Sequence, residues 1–333
     1  MKHKELLIDT ASKMVAKGKG ILAADESNPT CAKRFESIGV ESTFKNRNEY
    51  RDMLMTSDGL NNYISGVIMF DETFRQSTTD SNRVKFPEYL NEKGILPGIK
   101  VDKGAKKLAG FKDEKITEGL DGLRERLSEY FDLGAKFAKW RAVININESI
   151  PSHGCLLANA HALARYARLC QENGLVPIVE PEVLMDGFHD INRCYDVTSL
   201  ALDTLFKQLL LQNVMLEGIV LKPNMVISGM KCEAQASVEE VADLTVKCFK
   251  ENVPSNVGGI AFLSGGQSSD IATEHLNTMN KKYCDLPWNL TFSYGRALQQ
   301  DSLNAWLGSN RANGQKELLS RAKNNSLATN GKF

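Results

Sequence analysis

Lys222 stands at the end of a short apolar run and directly before a proline, in the segment GIVLKPNM (218–225). The run is rich in β-branched residues and is bounded by glycine and proline, which is typical of a buried strand. Burying an ammonium group is costly, so a lysine at the mouth of such a strand either extends its amine to the rim or is a reactive amine.

Other charged residues end similar apolar runs. Residues two apart in a strand share a face, so Lys139 and Arg141 point the same way. Ala138, Trp140 and Ala142 point the other way and are expected to pack on outer helices. A structural ion pair explains any one of these charges, but a whole set at one mouth is costly to desolvate and indicates function. The set comprises Asp25, Lys100, Lys139, Arg141, Glu180, Glu182 and Lys222.

Two glycine-containing segments suggest a site for phosphate. They are LSGG (263–266) and SYGR (293–296), in which Ser264 and Arg296 accompany the glycines. Exposed backbone N–H groups cradle anions, and arginine forks onto phosphate oxygens. LSGGQ also matches the signature of ATP-binding-cassette proteins, but the chain has no GxxxxGK[ST] phosphate loop, so that match is a coincidence.

The elements that must position these residues are short apolar runs separated by segments of helical spacing. Eight runs alternating with helices predict an α/β fold, a single parallel (β/α)₈ barrel, in which the active site lies at the carboxyl ends of the strands. The alternative is an open doubly wound sheet, but the match to GxGxxA at 18–23 precedes its strand and cannot serve as a nucleotide fingerprint. The runs are 20–27, 65–72, 97–104, 137–146, 176–182, 218–225, 258–266 and 290–297.

The chain is predicted to form one domain over residues 1–333. Residues 1–19 are interpreted as an extra amphipathic helix at the N-terminus, and about 300–333 as a C-terminal helical segment. The 41 basic and 41 acidic residues balance, which argues against a nucleic-acid or membrane partner. Seven scattered cysteines and five dispersed histidines predict neither disulfides nor a metal site, and favour a reducing compartment.

A phosphate site beside a desolvated lysine and carboxylates suggests Schiff-base chemistry. A neutral lysine amine attacks a ketone, and the resulting iminium accepts electrons from an adjacent bond. Apolar surroundings and a nearby cation, for which Lys139 is the candidate, both favour the neutral amine. Glu180 is the candidate for carrying protons during loss of water, and Asp25 for accepting a hydroxyl proton when a carbon–carbon bond breaks.

The sequence resembles the class I fructose-1,6-bisphosphate aldolases. The resemblance is carried by GKGILAADES, GIKVDKG, FAKWR, VPIVEPE, LKPNM, FLSGGQS and FSYGRAL, in this order. It implies a homotetrameric (β/α)₈ barrel that needs no metal or cofactor. It also implies reversible cleavage of fructose 1,6-bisphosphate into dihydroxyacetone phosphate and glyceraldehyde 3-phosphate.

The resemblance also assigns roles by motif. It implies that Lys222 is the Schiff-base lysine, with Asp25, Lys139 and Glu180 as its acid–base and electrostatic partners. For the phosphate on the ketone half it implies Ser264, Gly265, Gly295 and Arg296. For the other phosphate it implies Ser27 and Lys100, with Arg34 and Arg141 nearby, and Thr30 keeps the hydroxyl of a serine found in many members.

Two further features bear on the family assignment. Members commonly continue past NSLA into a tail that ends in a tyrosine assisting proton transfer to the enamine, whereas this sequence ends at Phe333. If nothing replaces that tyrosine, enamine protonation is expected to limit turnover. The segment NPTCAKR resembles the plastid-type members, so a stromal location stands beside the cytoplasmic one.

Three other functions are compatible with parts of the sequence. A transaldolase-like or deoxysugar-phosphate aldolase needs one phosphate site, and the cluster at Ser27 and Lys100 argues against it. A metal-dependent aldolase is disfavoured by the dispersed histidines. A non-enzymatic barrel used as a binding scaffold does not need Asp25, Lys139, Glu180 and Lys222 together.

Overall fold

The computed structural model describes residues 2–333. Its ten strands are, in chain order, β1 (Gly20–Ala24), β2 (Ile64–Met69), β3 (Leu96–Lys100), β4 (Ala105–Lys107), β5 (Lys115–Thr117), β6 (Phe137–Ile144), β7 (Val176–Val183), β8 (Val220–Leu221), β9 (Ile260–Phe262) and β10 (Leu290–Tyr294).

Eight of these strands are parallel and close into a barrel with the order β1-β10-β9-β8-β7-β6-β3-β2. Each of the eight predicted runs overlaps one barrel strand, so the predicted (β/α)₈ fold is confirmed and the open doubly wound sheet is wrong. The sequence did not indicate the antiparallel pair β4–β5, which lies outside the barrel. Its strands have three residues each and are largely polar, so they lack the apolar pattern that marks a strand.

Helices surround the barrel and extend it at both chain ends. Among residues 2–333, none is long and apolar enough to cross a membrane. The helices are α1 (Lys4–Met14), α2 (Asn28–Glu36), α3 (Phe44–Met55), α4 (Asp71–Arg75), α5 (Phe86–Glu92), α6 (Leu123–Asp132), α7 (His153–Glu172), α8 (Ile191–Leu211), α9 (Val238–Asn252), α10 (Ser269–Lys282), α11 (Arg296–Trp306) and α12 (Arg311–Ala328).

The first helix covers the amino-terminal end of the barrel. Its apolar face is buried together with residues that fill the lower barrel interior, and it consists of Leu7, Ala11, Met14 and the following Val15. The approach is close, since a β-carbon at Gly259 would lie 2.4 Å from Val15. With this end covered, the opening of the barrel is at the carboxyl ends of the strands.

The alternation predicted for β6 is confirmed. Trp140 is fully buried and its ring lies 5.5 Å from that of Tyr166 on α7, in the apolar layer between barrel and helices. Ala138 and Ala142 lie in the same layer. Because side chains alternate, Lys139 and Arg141 are left to project into the barrel mouth.

Candidate active site

A cavity of about 640 Å³ opens at the carboxyl ends of the barrel strands. A site of this size accommodates a small phosphorylated ligand. Every residue that the sequence nominated for catalysis or substrate binding lines it, and charged and hydroxyl side chains predominate over apolar ones. These residues are Asp25, Ser27, Thr30, Arg34, Lys100, Lys139, Arg141, Glu180, Lys222, Ser264, Gly265, Gly295 and Arg296.

Strand register brings charged residues of neighbouring strands side by side. Arg141 on β6 lies opposite Glu180 on β7, and Lys139 lies opposite Lys100 on β3. Neighbouring strands are roughly 5 Å apart, so side chains on paired positions reach one another across the mouth. Lys222 comes directly after β8, and its backbone N–H donates to the carbonyl of Val179, which extends the pairing with β7 by one residue.

The amine of Lys222 is buried, with 4% of the residue exposed. Its Nζ lies 3.3 Å from Oε1 of Glu180. Burial lowers the pKa of this amine and the charge on Lys139 lowers it further, while the carboxylate of Glu180 acts in the opposite direction. The net pKa lies below the ordinary value for lysine, so a larger fraction of the amine is neutral and nucleophilic at neutral pH.

Lys139 is the charged centre of the site. Its Nζ lies 3.1 Å from Oδ2 of Asp25 and 3.1 Å from Oε2 of Glu180. Burial disfavours the ammonium form, but the two carboxylates outweigh burial and raise the pKa of Lys139. Burial also opposes ionisation of Asp25 and Glu180, yet the surrounding lysines, Lys139 foremost, hold both pKa values below the ordinary range. The site therefore contains two ionised carboxylates, a permanent cation and a second, more readily deprotonated amine.

One side of the cavity is formed by the segments after β9 and at the start of α11. Gly265 and Gly266 have φ angles of 60° and 101°, in the left-handed region that favours glycine. A β-carbon at Gly266 would lie 2.9 Å from Nη2 of Arg296, so the lack of one lets the guanidinium come this close to the turn. Turn N–H groups, the N-terminus of α11 and an arginine together form a site suited to phosphate.

The opposite side carries a second cluster of donors. The hydroxyl groups of Ser27 and Thr30, at the N-terminus of α2, lie 3.1 Å apart. Lys100 pairs with Asp102 at 2.9 Å, and Nε of Arg141 donates to Glu182. The cations and hydroxyl groups of this second cluster suit a second anionic group of the ligand.

Several cavity residues were missed by sequence reasoning. Glu26, Asp102 and Ser293 line the cavity but were not nominated. Glu26 pairs with Arg34, and Asp102 pairs with Lys100. These pairs depend on the direction of each side chain, which the sequence does not give. The hydroxyl of Ser293 is buried without a hydrogen-bond partner, and nothing in the sequence distinguishes it from an ordinary strand serine. Glu182 belongs to the charged set predicted for the barrel mouth, but the sequence assigns it no role.

No cluster of three or more histidine, cysteine, aspartate or glutamate side chains suited to a metal ion occurs within residues 2–333.

Comparisons with known proteins agree on one family. Residues 6–333 match the sequence model of the family described as "Fructose-bisphosphate aldolase class-I". The chain is 59% identical over 332 residues to the "Probable fructose-bisphosphate aldolase class 1" of Xanthomonas campestris pv. campestris, covering 99% of this chain and 98% of that protein. It is 50% identical to the "Fructose-bisphosphate aldolase, cytoplasmic isozyme" of Spinacia oleracea, covering 100% of this chain and 93% of that protein.

A solved structure gives the same result for the fold. It is an aldolase from Plasmodium falciparum, described as a ternary complex with TRAP and a small-molecule inhibitor. The TM-score is 0.97 at 48% sequence identity, and the match covers 100% of this chain and 96% of that one.

Proposed function

The chain belongs to the class I fructose-bisphosphate aldolase family, and we propose that its cavity carries out that family's reaction with Lys222 as the nucleophile. The reaction is the reversible cleavage of fructose 1,6-bisphosphate into dihydroxyacetone phosphate and glyceraldehyde 3-phosphate through a lysine Schiff base. The observation that carries this assignment is a buried amine of lowered pKa, 3.3 Å from a carboxylate and flanked by two clusters of anion-binding groups.

The first half of the reaction forms the Schiff base. The neutral amine of Lys222 attacks the ketone carbon of the substrate, giving a carbinolamine. Glu180 contacts both Lys222 and Lys139, so its carboxylate can accept the proton that Lys222 gives up in becoming neutral and pass it to the hydroxyl that leaves as water. The iminium that remains is electron-poor, and the ionised carboxylate of Glu180 stabilises its positive charge.

The second half breaks the carbon–carbon bond. Asp25 is kept ionised by Lys139 and accepts the proton of the C4 hydroxyl. As that oxygen becomes the aldehyde carbonyl, the C3–C4 electron pair moves into the iminium and forms an enamine. Glyceraldehyde 3-phosphate leaves, the enamine takes a proton at C3, and water releases dihydroxyacetone phosphate and restores the lysine.

The two anion-binding clusters fix the substrate across the nucleophile. We assign the ketone-side phosphate to Ser264, Gly265, Gly295 and Arg296, and the other phosphate to Ser27, Thr30, Lys100 and Arg141. Arg34 lies between the two sides, because a β-carbon at Gly295 would be 3.8 Å from its Nη2 while its own helix carries Thr30. Two phosphate sites favour a bisphosphate over the single phosphate of a transaldolase-like substrate.

The direct test is a cleavage assay on the purified chain. Fructose 1,6-bisphosphate should yield equal amounts of the two triose phosphates, at a rate that excess EDTA does not change. Loss of activity in EDTA would support a metal-dependent aldolase instead. A chain that binds the bisphosphate without cleaving it would support the binding-scaffold alternative.

Replacement of Arg296 by alanine should weaken binding of both the bisphosphate and dihydroxyacetone phosphate. A lost charge-assisted hydrogen bond is worth about 1.5–3 kcal/mol, or about 10- to 150-fold in affinity. KM for cleavage and the inhibition constant of dihydroxyacetone phosphate are the measurements. If neither changed, Arg296 would not contact the phosphate shared by those ligands.

We also propose that the chain assembles as a homotetramer. An apolar patch supports an interface between copies: Leu210 and Leu211 at the end of α8 are 58% and 73% exposed, and Leu157 on α7 is 40% exposed. Gln212 donates to the carbonyl oxygen of His161, which holds the end of α8 against α7 one turn beyond Leu157. Light scattering should give four times the mass of one chain, and the mass of a single chain would contradict the proposal.

The cytosol is the compartment we propose for this enzyme. The spinach relative is named as a cytoplasmic isozyme, and the relatives reported above give no support to the plastid stroma. Fractionation of the source cells, followed by detection of the chain, is the test, and recovery in an organelle fraction would contradict it.

A further inference from the structure

A buried ion cluster lies behind the cavity and contains an arginine that no step of the proposed reaction uses. Arg51 on α3 is 2% exposed, and its Nη1 lies 2.6 Å from Oε2 of Glu26. The other carboxylate oxygen, Oε1, contacts Nη1 of Arg34. One carboxylate therefore bridges two guanidinium groups, of which only that of Arg34 reaches the cavity.

The cluster is held in place from several sides. Nε2 of Gln299 on α11 donates to Oε1 of Glu26 at 2.9 Å and to the carbonyl of Ala23 on β1. The hydroxyl of Tyr50 donates to Oε1 of Gln299 at 3.1 Å, and the guanidinium of Arg51 lies 5.6 Å from the centre of the Tyr50 ring. A charge buried among such fixed partners has one defined position, and losing one partner is strongly destabilising.

The position of Glu26 in the chain connects this cluster to the site. Glu26 stands between Asp25 and Ser27, at the end of β1, and side chains alternate there. Asp25 turns towards Lys139, whereas Glu26 turns towards Arg51 and Arg34. Burial opposes ionisation of Glu26, but Arg51 first and Arg34 second lower its pKa, so it stays a carboxylate.

We propose that Arg51 is a positioning residue for substrate binding. By neutralising and holding Glu26, it keeps the guanidinium of Arg34 aimed into the cavity, between the two phosphate-binding sides. Nη1 of Arg34 is tied to Glu26, and its Nη2 faces Gly295. Without Arg51, the full negative charge of Glu26 is balanced by a single guanidinium, that of Arg34. Glu26 would then draw Arg34 away from a phosphate or take up a proton and release it, and either change misplaces the guanidinium. This inference rests on the function proposed above.

The expected result is a rise in KM that depends on Glu26. Arg51→Met should raise KM for fructose 1,6-bisphosphate about 10-fold, the lower end for one charge-assisted hydrogen bond, and kcat should change less than KM. In a Glu26→Gln background the same substitution should change KM less than about twofold, because interacting residues are non-additive. Arg51→Lys keeps the charge and should restore most of the affinity.

Arg47→Met is the matched control. Arg47 lies one turn earlier on α3 and makes a partly buried ion pair with Glu72 rather than with Glu26. Arg47→Met removes a less buried ion pair from the same helix, and its KM should stay near that of the unmodified chain.

Each outcome decides between the alternatives. If Arg51→Met leaves KM unchanged, or raises it equally in the Glu26→Gln background, Arg51 has only a structural role. If the single variant does not fold, Arg51→Lys and the double variant, which carries no unpaired buried charge, decide instead. A double variant whose KM exceeds that of Glu26→Gln alone by clearly more than about twofold would overturn the proposal. An unmodified chain inactive on fructose 1,6-bisphosphate would overturn the proposed function itself, before any variant is compared.

Discussion

Replacement of Lys222 by methionine should abolish carbon–carbon cleavage and the covalent trapping of substrate. Methionine preserves the length and most of the volume of the side chain, so the barrel mouth stays packed, but it has no amine to attack the ketone. A loss on the order of 10⁴–10⁶-fold in kcat is the scale expected when an enzyme loses its covalent nucleophile. The triose phosphate assay measures this loss directly.

Borohydride trapping identifies the lysine independently of the rate. Reduction of the iminium during turnover should fix the carbon skeleton of dihydroxyacetone phosphate to the unmodified chain, and peptide mapping should locate it on Lys222. Lys100→Met is the matched control, because it removes another cavity lysine while leaving the amine beside Glu180 in place. An adduct on another residue, or trapping that persists in Lys222→Met, would exclude the proposed nucleophile.

The sequence was sufficient for the barrel because its strands are marked by composition and by their boundaries. Runs such as SGVIMFDE and VPIVEPE are apolar, rich in β-branched residues and bounded by turn residues, and both formed barrel strands. The pair β4–β5 was missed for the opposite reason. AKK and KIT carry neither an apolar run nor alternation, and the two strands are paired only with each other.

The site could be predicted in part from the sequence. In a parallel barrel, charged residues at the carboxyl ends of the strands must lie together at one end of the barrel. Lys139 and Glu180 were placed in the site on this ground, although they lie within β6 and β7 and not at the ends of those strands. The distances between these side chains and their partners could not be predicted, since they depend on strand register and on side-chain rotamers. Arg51 shows the limit most clearly: on α3 its sequence context, NEYRDML, resembles a solvent-facing helix, yet its guanidinium is buried against Glu26 from another element.

Replacement of Lys139 by methionine should lower kcat and move the pH dependence of cleavage towards alkaline pH. Loss of this cation removes the charge that lies 3.1 Å from both Asp25 and Glu180. The pKa values of both carboxylates then rise, because their anionic forms lose the stabilising charge. The pKa of Lys222 rises too, because its ammonium form no longer has a neighbouring cation to repel it.

All three changes act in one direction on activity. Cleavage requires Lys222 as the neutral amine and Asp25 as the anion, and in the variant each form is reached only at higher pH. Poor protonation states and lost acid–base assistance should together reduce kcat at neutral pH by about 10²–10⁴-fold, with part of the loss recovered as pH rises. Profiles of kcat and kcat/KM against pH are the measurements.

The pH at which the folded chain loses stability in acid should also shift upwards in Lys139→Met. A carboxylate whose pKa is depressed in the folded state contributes stability that is present above its unfolded pKa, near 4, and is lost as pH falls through the folded pKa. Asp25 and Glu180 therefore protect the unmodified chain against acid, and in Lys139→Met that protection should fail at a higher pH.

The matched comparison is Lys100→Met, whose lysine pairs with Asp102 and lies in register with Lys139 on the neighbouring strand. It should raise KM with little change in the pH profile. Equal pH shifts in the two variants would mean that general loss of positive charge at the mouth, and not the contact of Lys139 with both carboxylates, sets the protonation states used in catalysis.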